Sequence, residues 1–438
     1  MKTFNKYLYI IASILAAAGL LASCDSPLKW QEYEDPATTD LPTVYSIRYA
    51  AEDTYITKAY MGEIICLLGD NLAGVKEVWF NDRQAILNTS FITDNTLIVA
   101  VPDEMPDDAT NKIYLVDKKG SKTDVDFQVL PPVPVVNSMS NEWAKEGEVV
   151  TLYGKYMFDD ANIPLTVSFA GAEVANKDIT FTSANEISFK VPAGAQPGYI
   201  NVNTVSGSGR SKFQYMDSRN MLFDWDGNYG EAHASGWGWR GGVIHAPGTD
   251  AWDALDGNYL YFGGATLGPG VWDAWVEDQF CFNYWPEPGN TEWDELYNNT
   301  EFAQYIDNYG VAGLYLKFEI LIPTSSPWMA NGMQLMFTTL EDVSCWDNCQ
   351  NDFYATVPRY MWEPWYDNGG SYDTADKWIT VSFPLSSFTM TNQGKDSGLT
   401  FSADRLAGLT FFVYAGAHDG TACEPQMAID NIRVVPAE

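Results

Sequence analysis

The chain has 438 residues, 46% of them hydrophobic and 14% aromatic, and a formal charge of −33 at pH 7. That length accommodates roughly two to four domains with cores of their own, and the apolar content excludes a disordered chain. So acidic a surface excludes nucleic acid as a partner, because binding there depends on Lys and Arg neutralising phosphates; it also repels anionic polysaccharides and anionic membrane faces, so a neutral partner fits best.

Residues 1–23 read as an export signal, with Lys2 and Lys6 ahead of an apolar segment from Leu8 to Leu21. Leu21-Ala22-Ser23-Cys24 resembles a bacterial lipobox, in which the cysteine thiol is acylated and becomes the mature N-terminus. The expectation is a lipid anchor at Cys24 in the outer membrane. Residues 24–41, polar and acidic with Pro27 and Pro36, read as a lipidated tether. No later run reaches the about 20 apolar residues that a membrane-spanning helix needs.

An internal repeat follows. Gly62-Glu63-Ile64-Ile65-Cys66-Leu67-Leu68-Gly69 matches Gly147-Glu148-Val149-Val150-Thr151-Leu152-Tyr153-Gly154. Thr93-Asp94-Asn95-Thr96-Leu97 leads to Val101-Pro102, as Ser183-Ala184-Asn185-Glu186-Ile187 leads to Val191-Pro192. Each unit is a set of short β-rich runs punctuated by Gly, Asn, Asp and Pro, the signature of an antiparallel sandwich. The pattern resembles the Ig-like TIG (IPT) fold and places one such domain at 42–131 and another at 132–216. Pro131-Pro132-Val133-Pro134 makes a stiff junction. Neither unit carries a catalytic motif; Cys66, Trp79 and Trp143 read as packing residues.

From about residue 217 to 438 the texture turns to aromatic, Gly and Asp-rich segments. Strands are predicted over Asn258–Phe262, Gly313–Ile322, Gly332–Thr338, Lys377–Pro384, Gly408–Tyr414 and Gln426–Val435, with a helix near Glu292–Tyr305. Leu314, Leu316, Phe318 and Ile320 alternate with Tyr315, Lys317 and Glu319, as in a half-buried strand. The fold class is therefore all-β: two tandem Ig-like (TIG/IPT) sandwiches, then a larger β-sandwich or jelly roll.

Thirteen of the 16 tryptophans fall between Trp225 and Trp378. One core cannot absorb that many indoles, each large and each with an N–H that needs a partner. Flat aromatics beside Asp and Asn suit stacking on sugar rings and hydrogen bonding to their hydroxyls. Loop aromatics are the better candidates, because binding residues concentrate on loops held by a rigid scaffold. These are Trp285 and Trp293 around Pro286 and Pro288, Trp346 between Cys345 and Cys349, and Trp362, Trp365 and Tyr366 around Pro364. Trp362 and Trp365 equally suit a structural wedge. Arg359 is a candidate polar partner, with Asn283, Glu287 and Asp367 beside it in that role; an Arg among aromatics also packs its stem. Trp237 and Trp239, flanked by Gly236 and Gly238, are further candidates, while Trp225, Trp252, Trp328 and Trp378 are assigned to the core.

Phe223-Asp224-Trp225-Asp226-Gly227, Gly257-Asn258-Tyr259-Leu260-Tyr261-Phe262, Trp362-Glu363-Pro364-Trp365 and the closing Ile429-Asp430-Asn431-Ile432-Arg433-Val434 carry a family likeness. The chain resembles the surface glycan-binding lipoproteins of Bacteroidota polysaccharide-utilisation loci, including the type whose last domain binds xyloglucan. The resemblance implies exposure at the cell surface beside a TonB-dependent transporter, and no catalysis. Expected partners are neutral polysaccharides such as xyloglucan, mixed-linkage glucan or galactomannan.

Other constellations are weaker. Disulfides are allowed in an exported domain, and Cys345–Cys349 is the first candidate, with Cys281–Cys423 second. Zinc lacks a second cysteine pair, and His233, His245 and His418 are scattered. No cofactor is expected. A structural calcium ion is compatible with Asp224, Asp226 and Asp430, although the EF-hand pattern fails, because Tyr229 and Ser235 stand where Gly and Glu belong. A glycoside hydrolase needs two carboxylates about 5–10 Å apart; acids are plentiful, but no clustered acidic motif, Gly-x-Ser-x-Gly elbow or His-Glu-x-x-His occurs. The alternatives to glycan capture are such a hydrolase and a protein-contacting adhesin.

Overall fold

The computed structural model describes residues 41–227, 243–270, 277–284, 301–338, 357–402 and 408–436. The chain forms two compact units, the first ending at Pro132 and the second beginning at Val133.

The first unit is a sandwich. One sheet orders Thr43–Tyr49, Ile64–Asp70 and Thr96–Ala100; the other orders Arg83–Gln84, Val75–Phe80, Lys112–Asp117 and Lys122–Asp126. Alternate residues of each strand point inward, so Ile65, Leu67, Val78, Phe80, Leu97 and Ile113 meet in one core.

The second unit opens with a sandwich built the same way. Its strands form a continuous path: Ala172–Val174, Thr166–Ala170, Gln196–Thr204, Gly207–Tyr215, Val135–Met139, Val149–Lys155, Glu186–Lys190 and Thr180–Ser183. Val136, Leu152, Val167, Ile187, Ile200 and Val202 fill it.

The sequence repeat has a backbone cause. Gly62 and Gly147 both turn at positive φ, 81° and 83°, a conformation that suits glycine. Each donates its N–H to the valine just after the neighbouring strand, Val101 O or Val191 O, at 2.9 Å in both cases. At the far end of the motif, a Cβ on Gly69 would run into Thr43 O, and one on Gly154 into Val135 O. Both contacts lie beside a register shift in the first strand of the unit, between Val44 and Ser46 or between Val136 and Ser138.

The rest of the second unit is a larger two-sheet sandwich. One sheet orders Val243–His245, Tyr259–Phe262, Met427–Pro436, Leu314–Leu321 and Ile379–Pro384, with Met221–Phe223 also paired to Met427–Pro436. The other orders Cys281–Tyr284, Gly408–Val413, Met333–Thr338 and Arg359–Trp362. Both are antiparallel throughout. Phe223, Leu260, Phe282, Leu316, Phe318 and Phe411 pack between them. A helix, Phe302–Tyr309, overlaps the end of the segment predicted to be helical.

One expectation is overturned. The polar side of Leu314–Leu321 was predicted to face water, yet Glu319 is 0% exposed and Lys317 9%. The second Ig-like sandwich covers them and supplies Glu142. Lys317 Nζ lies 2.7 Å from Glu142 Oε1, and Arg433 Nη2 lies 2.9 Å from Glu142 Oε2. Arg433 also grips Glu319, Nη1 to Oε2 at 2.8 Å and Nη2 to Oε1 at 3.0 Å. Thr380 Oγ1 donates to Glu319 at 2.7 Å and accepts from the Glu142 N–H, while its own N–H donates to Ser140 O at 2.9 Å. Burial alone would lower the Arg433 pKa, but Glu319 and Glu142 hold it above its ordinary value and therefore charged. Burial raises Glu319, and Arg433 pulls against that rise. Four charges taken out of water are tolerable only with this degree of pairing.

Candidate functional site

The strand Arg359–Trp362 runs into a short helix, Pro364–Asp367, with Pro364 at its first position, where a missing N–H costs nothing. This segment holds five of the predicted binding residues, and the structure separates them. Tyr366 is 52% exposed. Its ring stacks on His418 with centroids 3.5 Å apart and planes 12° apart. His418 Nδ1 sits 2.8 Å from Glu363 Oε2, and Glu363 Oε1 accepts from the Ala417 N–H at 2.9 Å. Tyr366 is therefore a braced, outward-facing ring, and Asp367 beside it is exposed. Such a ring can present one face to the C–H face of a sugar.

The other three offer no open platform, Trp362 taking the wedge role and Trp365 and Arg359 departing from a binding role. Trp365 is 2% exposed, because its indole fills the core and its Nε1 donates to Asn331 O at 2.8 Å. Trp362 is half-buried, with neighbouring rings edge-on to it: Trp328 at 5.5 Å, Phe383 at 5.4 Å and Phe318 at 6.2 Å. It serves as a wedge at the end of the core. Arg359 is 0% exposed, its Nη1 donating to Gln334 Oε1 at 2.6 Å and its Nε to Val357 O at 3.3 Å. Neither Arg359 nor Trp365 has a surface to offer a ligand. Asn283, suggested as a polar contact, is likewise buried and accepts from the Thr410 hydroxyl.

Trp237, Trp239, Trp285, Trp293, Trp346, Glu287, Cys24, Cys345 and Cys349 lie outside the described residues. The pairing of Cys281 with Cys423 does not form. Cys423 is a buried free thiol that accepts from the Met329 N–H, whereas Cys281 packs with Met336 and Phe412 in a different cluster. Trp225 and Trp328 are core residues, as expected. Trp252 and Trp378, assigned to the core, are only half-buried.

Each possible calcium ligand has one carboxylate oxygen in a hydrogen bond, and Asp430 Oδ2 has no hydrogen-bond partner. Asp226 Oδ1 accepts from the Asn258 N–H at 2.8 Å, Asp224 Oδ1 from the Asp226 N–H at 3.2 Å, and Asp430 Oδ1 from the Asn431 N–H at 2.8 Å. Burial, and then Asp256 beside it, push the Asp430 carboxyl well above the usual carboxylate range. Among the described residues no three His, Cys, Asp or Glu side chains gather as a metal would require.

The pair His418–Glu363 escaped the sequence reading. The two residues are 55 positions apart, and His418 has no motif around it. Only the fold brings its ring beneath Tyr366.

Tandem Ig-like modules leading to a large antiparallel sandwich with an exposed ring at its rim define a modular, all-β binding protein. A family model described as surface glycan-binding protein B xyloglucan binding domain matches residues 215–436, and one described as IPT/TIG domain matches residues 134–215. The chain belongs to the surface glycan-binding protein B family. It is similar to the solved surface glycan-binding protein PbSGBP-B from Prevotella bryantii, with 35% identity, 91% of this chain and 100% of that chain covered, and a TM-score of 0.70. An SGBP-B from a complex xyloglucan utilization locus in Bacteroides uniformis is more distant, at 16% identity, 91% and 100% coverage and a TM-score of 0.43. An IPT/TIG domain-containing protein of Bacteroides ovatus is 23% identical over 241 residues, which are 49% of this chain and 46% of that one. The chain thus spans about half the length of that curated relative. The family consists of surface proteins that bind glycans and are not enzymes.

Proposed function

We propose that this protein is a lipid-anchored capture protein of the outer cell surface. Acylated at Cys24, it holds a neutral, β-linked plant glycan for an outer-membrane uptake system of the TonB-dependent kind. The observation that carries the reading is the exposed Tyr366 ring braced by His418 within a domain that matches the glycan-binding family. An aromatic face buries the apolar face of a pyranose and leaves the hydroxyls to neighbouring polar groups; by analogy with aromatic pairs, each such contact contributes about 1 kcal/mol. The formal charge of −33 favours an uncharged polymer over an anionic one. Xyloglucan is the first glycan to test, because it is the one in the description of the matching family model.

The test is affinity electrophoresis of the mature protein in gels containing xyloglucan, mixed-linkage glucan or galactomannan. Retardation by at least one, without release of reducing ends, is expected. Unchanged mobility in all three overturns the reading. Labelling with a radioactive fatty acid in cells, abolished in Cys24→Ala, tests the anchor separately.

A further inference from the structure

Between the second Ig-like sandwich and the C-terminal sandwich lies a cleft of about 690 Å³, within the usual range of small-molecule sites, which often form at domain interfaces. Trp252 and Trp378 line one wall, both half-buried and both held in place. Trp252 stacks near Tyr261, with centroids 6.5 Å apart and planes 20° apart, and Tyr261 in turn stacks on His245 at 4.1 Å. Trp378 is edge-on to Tyr259 at 5.9 Å, and its Nε1 donates to Asp253 O at 2.9 Å. Ser140, Ala144 and Val149 of the Ig-like sandwich form the facing wall.

Three features choose the occupant. The indoles and Ile379 supply apolar surface, while Gln426, Asp253 and Lys377 supply hydrogen-bonding groups. Among the described residues neither the exposed Asp253 carboxylate nor the exposed Lys377 ammonium has a side-chain partner, so both are available to a ligand. Glu148, Asp253 and Asp376 outnumber Lys377 in the lining, which disfavours an anion. The two walls are tied together, because the buried cluster of Glu142, Lys317, Glu319 and Arg433 joins the same two sandwiches, and Lys145 Nζ donates to Ala254 O at 3.0 Å. A site held in shape before binding loses less in ordering itself.

We propose that this cleft is a second saccharide-binding site, distinct from the Tyr366 rim, that takes a short segment of neutral glycan on Trp252 and Trp378. The proposal rests on the reading that the protein captures a neutral glycan. Two sites on one rigid body let a single polymer be held twice, which raises retention without any new contact.

The experiment is titration calorimetry of the full mature chain with oligosaccharides of whichever polysaccharide retards it. The variants are W252A/W378A, Y366A and the combination of all three. Two sites per chain are expected. W252A/W378A should remove one, Y366A should weaken the other roughly tenfold, and the combination should leave only the weakened site. The exposed pair D253A/K377A keeps the test valid if the double tryptophan variant does not fold; it should weaken one site and leave the melting temperature unchanged. A single site in the wild type, untouched by D253A/K377A or W252A/W378A, overturns the second site while the capture reading stands. No binding to any polysaccharide of the panel overturns both.

Discussion

The junction and the rim of the C-terminal sandwich solve opposite problems with similar residues. At the junction, Glu142, Lys317, Glu319 and Arg433 are buried and paired with one another. At the rim, Glu363 is tied to His418, and the product is an exposed ring, Tyr366. Charge is used in the first place to fix one domain on another, and in the second to aim an aromatic at solvent. The same residue types therefore say little about function until their burial is known.

The largest expected effect breaks the junction. Glu142→Ala leaves Arg433 and Lys317 without their shared partner in a buried site and should cost about 3–5 kcal/mol. Urea unfolding of the full chain checks this; a loss below about 1 kcal/mol would show that water already screens the cluster. A smaller effect is expected from Gly154→Ala, whose Cβ would meet Val135 O, and from its counterpart Gly69→Ala, at about 1–3 kcal/mol each. Gly74→Ala, with open space around it, should stay within about 0.5 kcal/mol.

The rim behaves differently. Tyr366→Ala should leave the melting temperature unchanged and weaken polysaccharide retention roughly tenfold. Arg359→Ala should do the reverse, losing stability through the orphaned Gln334 and touching binding only in proportion to unfolding. Equal effects of the two on binding would return Arg359 to the site.

The smallest effect is a matter of pH. Asp430 has its carboxyl raised by burial and by Asp256, so the folded state holds this proton more tightly than the unfolded state does. Its contribution is present below the ordinary carboxylate pKa and is lost as pH rises through the raised value. Asp430→Asn cannot titrate, so its melting temperature should fall less than that of the wild type between pH 5 and pH 8. Parallel curves would show that Asp430 stays charged.

Much of the fold was legible because short-range rules act strongly here. The paired motifs Gly62–Gly69 and Gly147–Gly154 repeat since the same turn and the same close strand approach recur, and only glycine suits both. The strands Leu314–Leu321 and Met333–Thr338 announced themselves by apolar content. The environment of each face did not. Alternation at Tyr315, Lys317 and Glu319 reports that two faces differ, and water and a second domain's carboxylate satisfy that pattern equally well. At the candidate site, Tyr366 faces outward as its candidacy required, although it sits on a short helix and not on the expected loop, whereas Arg359 and Trp365 were misplaced because an Arg beside tryptophans reads alike in a core and in a groove. His418 was invisible, since what gives it a role lies 55 residues away.

The clamp on Arg433 also has a mechanical side. In the proposed capture role a bound polymer would exert a pull, and a loosely hinged C-terminal sandwich would swivel under it. With the guanidinium locked between carboxylates of both modules, the second Ig-like sandwich and the C-terminal sandwich are fastened to each other by charge as well as by the chain that joins them.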